Sequence, residues 1–596
     1  MHWLNVLALV STAAASANSQ QNPLDRGTPT LSVLTPNLTT KWIEGSDYVQ
    51  IIELFVENTH PTGFLTKRHG LTVGVDSEYI ETVQPGTVNR LAPGQKALIQ
   101  VGVKNKAGVK DGSKCDGKIV AKYGAGKCNR VAEADLSGVC GIGNYDATED
   151  DLLTHRTPDW FDNMKYGIFI HWGIYSVPAY GNTGENENYA EWYWKWMMDP
   201  NDKTQTYQYH LEHYGKDFNY DDFIEDFTGA KFDPKEWVDL FANAGAQYFV
   251  PTTKHHDGFA LFDYPETVNR RSSVHLGPKR DFMKELFEAS KKHQPQLRRG
   301  TYFSLPEFFN PAYSYGGSFP GGPPKNPYTG EEVEYTGYIP TDDFVNDVQV
   351  PQMNTLAYEY DTDIMWCDIG GPNNSTIMLS KWINWAKEQG RQVTFNKRCG
   401  LKGDFDTPEY DPNPSEPFGR KWESSRGMDP HSYGYNKVTP DDEYLTGHDI
   451  VKSLIDIVSN NGNFLLDIGP DGEGAIPQIM QKGLLDAGKW IKAHSESIFN
   501  TRYWPTTAGK DPFRYTTTSD AFYIHYVATP PKDLAIPDPV PFLPGDKVTV
   551  LGGSKNGSPV KTTWDGIGKL TLHLTDGIIA GDEYVWTFKI EYASPM

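Results

Sequence analysis

The alternation of short apolar runs with amphipathic helical patterns between residues 150 and 500 is the feature that most constrains the fold. Such alternation is typical of βα units, in which helices connect parallel strands. At least six units follow one another in roughly 350 residues, which favours a closed, distorted (β/α)8-like barrel over an open sheet. The predicted strands are residues 167–171, 248–252, 299–304, 364–368, 393–396 and 464–468.

Helix boundaries in this region carry recognisable capping residues. Asp233 precedes Pro234, which suits the first helical turn, and Gly245 closes the apolar pattern that follows. Thr446 begins a second pattern, and Gly462 stops it. These signals support helices that alternate with the predicted strands.

The regions on either side of the barrel have the composition of β-structure. Residues 25–145 contain short apolar runs broken by Gly, Pro, Asn and Asp, without a helical period, and we predict an N-terminal β-rich domain. The same texture returns in residues 501–596, where we predict a C-terminal β-sandwich. A chain of 596 residues is long enough for these domains to surround a barrel at residues 150–500.

The chain begins with an apolar stretch followed by small residues. We predict that residues 1–17 form a signal peptide and that the mature protein is secreted. The apolar stretch is too short to cross a bilayer, so no membrane anchor is expected from it.

The charge balance excludes one class of partner. The chain has 55 basic and 77 acidic residues, a formal net charge of -22. Nucleic acids and anionic membranes would be repelled by this charge, so neither is an expected partner.

Five cysteines fit an oxidising compartment. Cys115, Cys128 and Cys140 are close in sequence, and we predict one local disulfide among them without assigning the pair. Cys367 and Cys399 are either buried thiols or bonded to each other.

Polar residues follow the predicted strands where each strand ends. His171, the pair His255 and His256, Asp368 and Arg398 all occupy such positions. In a (β/α)8 barrel, the side chains that bind and transform a ligand project from the carboxyl ends of the strands. These residues are therefore expected to converge.

A glycosidase that works by double displacement needs two carboxyl groups, and the predicted site offers candidates for both. We predict that Asp368 is the nucleophile, because burying a carboxylate without a function at the end of a strand would be costly. The alternative is that Asp368 caps a helix or lies in a solvated loop. Glu423 is the candidate acid/base, on a later barrel loop, and its alternative is a surface ion pair. Glu191 and Glu307 are competing candidates for the same role.

Aromatic residues, 13% of the chain, are frequent near the same strand ends. Flat rings suit the C–H face of a sugar, although most aromatics in any chain serve core packing. Neighbouring His255 and His256 would point to opposite faces of a strand, which makes a shared metal awkward, so no metal or cofactor is expected. The aromatics near strand ends are Trp172, Trp192, Trp194, Trp196, Tyr302, Trp366 and Trp422.

Several motifs between residues 150 and 500 together resemble the retaining α-L-fucosidases of glycoside hydrolase family 29. They are YGIFIHWG at 166–173, YAEWY at 189–193, KHHDGF at 254–259, WCD at 366–368 and NNGNFLLDIGP at 460–470. The motifs occur in the order typical of that family. The resemblance implies a distorted barrel followed by a C-terminal β-sandwich, and it leaves residues 25–145 as an addition.

The resemblance also implies roles for individual residues. Asp368 would be the nucleophile, and Glu423 would occupy the acid/base position on a loop that varies within the family. Arg398 follows Asn396 and Lys397, where many relatives have Asn-Asp-Arg. The fucose pocket would be lined by His171, Glu191, Trp192, His255, His256, Tyr302, Trp366 and Arg398.

The resemblance predicts an exo-acting enzyme that removes terminal α-L-fucose from oligosaccharides or glycoproteins by double displacement. Three alternatives remain open: a fucose-binding lectin on an inactive barrel, a barrel glycosidase for another sugar such as galactose, and a metal-dependent hydrolase. Hydrolysis of nitrophenyl fucoside, compared with nitrophenyl galactoside and tested with a chelator, separates them.

Overall fold

The protein, seen in a computed structural model, is described at residues 28–593 except 126–127, 372, 413–418 and 567. The predicted signal peptide, residues 1–17, lies outside the described residues. A parallel sheet with helices occupies the middle of the chain, and antiparallel sheets lie on both sides of it. Within the described ranges, no helix combines the length and apolarity needed to cross a bilayer.

The N-terminal region forms three antiparallel sheets, with strand orders β1-β2-β7-β5, β4-β8-β9 and β3-β6. Alternate residues are buried along β2, as expected for a strand with one face on a core. Cys115 and Cys140 are disulfide-bonded, which confirms the local bridge predicted here. The strands are β1 (Leu31–Trp42), β2 (Gln50–Asn58), β3 (Leu65–Thr66), β4 (Thr72–Asp76), β5 (Ile80–Gln84), β6 (Arg90–Leu91), β7 (Lys96–Asn105), β8 (Ser113–Ala125) and β9 (Cys128–Cys140).

The central sheet has seven parallel strands in the order β14-β13-β12-β11-β10-β16-β15. Every residue of β10, β11, β13 and β16 is buried, which is typical of parallel strands covered on both faces. The strands are β10 (Tyr166–Ile170), β11 (Tyr248–Lys254), β12 (Arg298–Ser304), β13 (Ile364–Asp368), β14 (Thr394–Phe395), β15 (Trp422–Gly427) and β16 (Gly462–Ile468).

The two edge strands of this sheet, β14 and β15, are joined through residues 404–410, which we call the closing segment. It makes single parallel bridges, from Phe405 to Asn396 beside β14 and from Asp406 to Trp422 in β15. The closing segment thus takes the eighth position in the wall without forming a regular strand. This arrangement confirms the prediction of a distorted (β/α)8-like barrel.

Helices cover the outside of the barrel and begin where the sequence predicts. Asp233 accepts hydrogen bonds from the backbone of the first turn of α5, and Thr446 does the same for α9. The helices are α1 (Glu149–Leu152), α2 (Asp159–Met164), α3 (Tyr193–Met197), α4 (Thr206–Tyr214), α5 (Pro234–Asn243), α6 (Phe282–His293), α7 (Val350–Tyr358), α8 (Ser375–Glu388), α9 (Gly447–Ser459), α10 (Gln478–Ala493) and α11 (Asp576–Ile579).

Short helical turns connect several of these elements. A π-helical turn (Val345–Gln349) leads into α7. The 3-10 turns are Lys67–His69, Ile174–Ser176, Ala190–Trp192, Tyr220–Ile224, Lys397–Cys399, Asp441–Glu443, Ser495–Ser497 and Gly553–Lys555.

The C-terminal region packs a five-stranded sheet, β17-β18-β19-β24-β21, against a three-stranded sheet, β20-β23-β22. Phe522, Leu572 and Phe588 are fully buried in their shared core, which confirms the predicted β-sandwich. The strands are β17 (Arg502–Tyr503), β18 (Phe513–Thr517), β19 (Ala521–Tyr526), β20 (Asp533–Ala535), β21 (Lys547–Leu551), β22 (Lys561–Trp564), β23 (Leu570–His573) and β24 (Trp586–Glu591).

Buried ion pairs join the three regions. The Nζ atom of Lys41 in β1 lies 2.6 Å from Asp162 of the barrel, and Arg90 in β6 lies 2.7 Å from Asp546 of the C-terminal region. Removing one member of such a pair leaves an uncompensated buried charge. The N-terminal region is thus fixed to both of its neighbours, while the domain limits 25–145, 150–500 and 501–596 stay a prediction.

Candidate active site

Polar side chains from the carboxyl ends of the barrel strands surround a small cavity, which we call the mouth cavity. All eight predicted binding residues line it together with Asp368, whereas Glu423 does not. Its lining residues are Phe169, His171, Tyr189, Glu191, Trp192, His255, His256, Tyr302, Trp366, Asp368, Ile369, Arg398, Glu409, Ser425 and Tyr433.

Asp368 is the last residue of β13 and is held as an anion. Its Oδ1 atom accepts hydrogen bonds of 2.8 Å from Arg398 Nη1 and from the backbone N–H of Ile369, and Tyr302 donates to Oδ2 at 2.8 Å. Burial alone would raise the pKa of Asp368, but the Arg398 charge and these hydrogen bonds hold the pKa below its ordinary value. The carboxylate is therefore ionised and fixed in direction.

Arg398 is itself held from two sides. Its Nε and Nη2 atoms each donate to Thr407 at 2.9 Å, to the hydroxyl and to the carbonyl respectively. Cys367 and Cys399, the neighbours of Asp368 and Arg398, form a disulfide, which is one of the two alternatives the sequence left open. The aspartate and the arginine therefore lie on backbone segments joined covalently beside them.

A second carboxyl group reaches the same arginine. Glu409, on the closing segment, places Oε1 at 2.5 Å from Arg398 Nη2, and its side chain remains 35% exposed. The Arg398 guanidinium thus contacts Asp368 through Nη1 and Glu409 through Nη2. Sequence reasoning missed Glu409 because the closing segment has neither strand nor helix periodicity. Its position, an acidic residue between β14 and the next barrel strand, is the one sequence feature that could have indicated it.

The expectation that Glu423 lies on a loop at the mouth is wrong. Glu423 is the second residue of β15, pairs with Asn463 near the amino ends of the strands, and is 1% exposed. Tyr248 donates to its Oε2 at 2.5 Å, and the indole of Trp366 donates to its Oε1 at 2.9 Å. Burial raises the pKa of Glu423 to about 7. Its carboxyl group therefore occupies the barrel interior instead of the mouth cavity.

The two competing glutamates have different positions. Glu307 is buried away from the mouth cavity, with Lys254 at 2.7 Å and Tyr335 at 2.9 Å. Glu191 lines the cavity, accepts a hydrogen bond from Gly434 N–H at 2.9 Å, and has a pKa that burial raises to about 8. A protonated Glu191 can donate a hydrogen bond to a ligand.

Three histidines line the cavity in neutral form, because burial lowers the pKa of each well below its ordinary value. His171 Nδ1 lies 2.7 Å from Asp467, and His256 Nδ1 lies 2.6 Å from Ser304. His255 Nδ1 is buried without a hydrogen-bond partner in the described part of the chain. Neutral imidazoles can both donate to and accept from sugar hydroxyls.

Aromatic rings form the apolar part of the wall. Tyr302 and Trp366 stack with centroids 5.7 Å apart. Trp192 meets the ring of His256 at 5.1 Å and that of Phe308 at 5.3 Å. A cavity that joins such rings to a few directed polar groups is typical of small-ligand sites. Asp467, which orients His171, belongs to the motif at 460–470, although the sequence did not predict a role for it.

Comparisons with family models and with known sequences identify the same family. The family model described as alpha-L-fucosidase matches residues 140–496. An alpha-L-fucosidase of Dictyostelium discoideum is 32% identical over 472 residues, which cover 75% of this chain and 95% of that protein. The human tissue alpha-L-fucosidase is 33% identical over 414 residues, covering 67% of this chain and 82% of that protein.

Solved structures agree with the sequence comparison. The Thermotoga maritima alpha-fucosidase in complex with a mechanism based inhibitor has a TM-score of 0.63 and 30% identity, and the match covers 75% of this chain and all of that one. The same enzyme in complex with fucose matches with a TM-score of 0.61. The family match begins at residue 140, so the N-terminal sheets lie outside it. The chain belongs to the α-L-fucosidases, a family of glycoside hydrolases.

Proposed function

We propose that this α-L-fucosidase releases terminal α-L-fucose with retention of configuration, with Asp368 as nucleophile and Glu409 as acid/base. The observation that carries this proposal is the shared guanidinium of Arg398, which contacts both carboxyl groups. Retaining glycosidases need their two carboxyl groups only about 5–5.5 Å apart, a spacing that two nitrogens of one guanidinium can support. Glu423 lacks such a connection to Asp368.

In the first step, an Asp368 oxygen attacks the anomeric carbon while the bond from that carbon to the leaving oxygen breaks. Glu409 gives its proton to the leaving oxygen, and a β-fucosyl ester of Asp368 forms. Tyr302 and Arg398 fix the direction of attack through their hydrogen bonds to the carboxylate. Because Glu409 is partly exposed, solvent can reach its carboxyl group.

In the second step, the Glu409 carboxylate takes a proton from water, and the water oxygen attacks the same carbon. The ester bond breaks, Asp368 returns as a carboxylate, and the two inversions together give α-fucose. No cofactor enters either step.

Fucose recognition rests on the remaining lining residues. We expect the ring hydroxyls to contact His171, His255, His256 and Glu191, and the methyl group to contact an aromatic wall. No described residue bonds to the buried Nδ1 atom of His255, which supports this contact, because a buried polar atom without a partner is costly until a ligand hydroxyl reaches it.

Replacement of the nucleophile tests the mechanism. Asp368→Ala should lower kcat on nitrophenyl fucoside by several orders of magnitude, and added azide should partly restore turnover and yield β-fucosyl azide. NMR of the first sugar released by the unchanged enzyme should show α-fucose. Initial release of β-fucose, or full activity of the alanine variant, would contradict the proposal.

Substrate comparison separates the remaining alternatives. The enzyme should hydrolyse nitrophenyl α-L-fucoside far faster than the corresponding galactoside, and it should release fucose from fucosylated oligosaccharides and glycoproteins. Binding of fucose without any hydrolysis would favour a lectin, and loss of activity with a chelator would favour a metal-dependent hydrolase.

We propose that the enzyme is secreted. The apolar leader at residues 1–17 and the two disulfides, Cys115–Cys140 and Cys367–Cys399, support an oxidising destination. Protein collected from the culture medium should begin after residue 17, as read by N-terminal sequencing. Retention inside the cells with an intact leader would contradict secretion.

A further inference from the structure

A second cavity lies at the amino ends of the barrel strands, opposite the mouth cavity. Lys165 directly precedes β10, Lys421 directly precedes β15, and Asn461 directly precedes β16, and all three line it. Its volume is about 510 Å³. Glu53 from the N-terminal region and Tyr503 from the C-terminal region complete the wall, so the cavity lies where the three regions meet. We call it the basic cavity.

The charges around the basic cavity are unbalanced. Seven basic side chains line it against three acidic ones, in a chain whose net charge is -22. Lys41 is neutralised by three carboxylates, and Arg420 lies 3.7 Å from Asp406. Among the residues that the structure describes, no ion pair within 4.0 Å reaches the other five, which are Arg156, Lys165, Lys402, Lys421 and Arg502.

Lys165 is the lining residue whose charge is least compensated by its surroundings. It is 1% exposed, and its ammonium group has no hydrogen bond or ion pair with any described residue. Burial, together with the charges of Lys421 and Arg502, lowers its pKa well below the ordinary value. Without an anion beside it, the buried amine therefore favours its neutral form, and an anion bound in the cavity would favour the ammonium form.

The neighbours of Lys165 retain unused hydrogen-bond donors. Lys421 is 9% exposed and, among the described residues, donates to one carbonyl, that of Asn461, at 3.1 Å. Arg502 donates through Nη1 to the Asn163 side chain at 2.5 Å and to the Thr501 carbonyl at 3.2 Å. Asp162, whose negative charge opposes the fall in the pKa of Lys165, is engaged by Lys41 at 2.6 Å and forms no ion pair with Lys165. Within the described residues, these basic groups therefore converge without an anion of their own.

We propose that the basic cavity binds a tetrahedral oxyanion, sulfate or phosphate, either free or carried by a sugar. Such a group has one or two negative charges and several acceptor oxygens, which match the unused donors of two lysines and an arginine. The cavity volume exceeds the size of a free ion, so an attached sugar ring also fits. The inference is independent of the catalytic proposal, because the two cavities lie at opposite ends of the barrel.

Thermal unfolding of the full-length enzyme tests this site. Sodium sulfate or phosphate at about 10 mM should raise the Tm by a few degrees relative to sodium chloride of equal ionic strength, because a ligand that binds only the folded state stabilises it. Lys165→Met should abolish this rise. In chloride, that variant should unfold at the wild-type temperature or above, because it removes a buried amine whose ionisation folding disfavours.

Two further variants keep the result interpretable. Lys421→Met should also reduce the sulfate effect, so the test survives if Lys165→Met fails to fold. Lys381→Met, on the exposed face of α8, makes the same change in charge and should keep the full sulfate effect. Fucose should raise the Tm additively with sulfate, because it would occupy the mouth cavity.

The source of the oxyanion is resolved by comparing ligands. If the natural ligand is a sulfated sugar, N-acetylglucosamine 6-sulfate should stabilise the enzyme more than free sulfate does, while N-acetylglucosamine should have no effect. Equal effects of sulfate and sugar sulfate would identify the free ion. Sulfate or phosphate that acts no better than matched chloride, or a sulfate effect that survives Lys165→Met, would overturn the proposal.

Discussion

Glu409 at the mouth of the barrel and Glu423 in its interior differ in nearly every respect that matters for proton transfer. At the mouth, Glu409 is partly exposed and shares Arg398 with Asp368. In the interior, Glu423 is buried, and Trp366 and Tyr248 donate to its two oxygens. Under the proposed mechanism, a raised pKa and deep burial therefore do not mark the proton donor. In that mechanism, access to solvent and a partner shared with Asp368 are the better guides.

The interior glutamate has a different consequence for the site. By accepting from the indole N–H, Glu423 fixes the orientation of Trp366, whose ring lies 5.2 Å from the Arg398 guanidinium carbon and stacks on Tyr302. Both of these partners bond to Asp368. We therefore regard Glu423 as a positioning residue, whose effect on catalysis is indirect.

The largest effect that separates the two glutamates is expected for Glu409→Ala. Loss of the acid should lower kcat/KM on natural fucosyl linkages by about 10²–10⁴-fold, because their leaving oxygen needs a proton. Nitrophenyl fucoside, whose leaving group needs little protonation, should lose far less. Both are measured as initial rates on the two substrate types.

The matched control for this change is Glu288→Ala, on the exposed face of α6, which should leave both rates unchanged. An equal loss on both substrates for Glu409→Ala would remove its assignment as the acid.

A smaller effect is expected from opening the disulfide beside the mouth. The double variant Cys367→Ser with Cys399→Ser should lower the free energy of unfolding by about 2–4 kcal/mol. It should also lower kcat/KM about tenfold, because slight displacement of Asp368 from Arg398 misaligns the nucleophile. Chemical denaturation and initial rates measured well below the Tm give the two values.

The other disulfide provides the comparison. Cys115→Ser with Cys140→Ser should reduce stability while leaving kcat/KM nearly unchanged, since this pair links strands of the N-terminal region. Equal losses of activity in the two double variants would indicate general unfolding instead of a local effect at the mouth.

The exchange of Glu423 for Gln should change kcat/KM by only about threefold or less. A glutamine oxygen can still accept from Trp366, and its amide can donate to the Tyr248 hydroxyl. The same pair of substrates used for Glu409→Ala measures this. A loss of kcat/KM on natural linkages but not on nitrophenyl fucoside would instead identify Glu423 as the acid.

The last difference does not concern catalysis but the pH dependence of stability. Folding raises the pKa of Glu423 from 4.5 to about 7, so its protonated form favours the folded state. This stability is fully present below the unfolded pKa and is lost as pH rises through the folded pKa. The stability of the wild type relative to Glu423→Gln should therefore fall by about 3 kcal/mol between about pH 4.5 and pH 8. Urea unfolding of both proteins across this range measures it, and a constant difference would show that Glu423 does not titrate.

The regular part of the architecture was predictable from sequence for a physical reason. Strands buried on both faces leave continuous apolar runs, and helix caps need particular residues, so β10, α5 and α9 all left clear signals. The same logic located Asp368, because it ends such a run.

The closing segment and β15 could not be predicted in this way. The closing segment pairs through single bridges and has no period, which hid Glu409. The Trp-Glu-Ser-Ser sequence of β15 follows a run rich in Pro and Gly, and this favoured a loop reading for Glu423. Lys165 gave no signal either, because a lysine before a strand is ordinarily a surface residue.

The pairing of the closing segment has a consequence for changing the enzyme. A residue in a continuous strand cannot shift without disturbing a ladder of hydrogen bonds along its whole length. Glu409 is flanked by two such bonds to β15, from Ser425 N–H to the Pro408 carbonyl and from Tyr410 N–H to the Ser425 carbonyl. Under the proposed mechanism, side-chain exchanges around Glu409 are therefore better suited than insertions to altering which fucosyl linkages are cleaved, because an insertion would move the proton donor relative to Asp368.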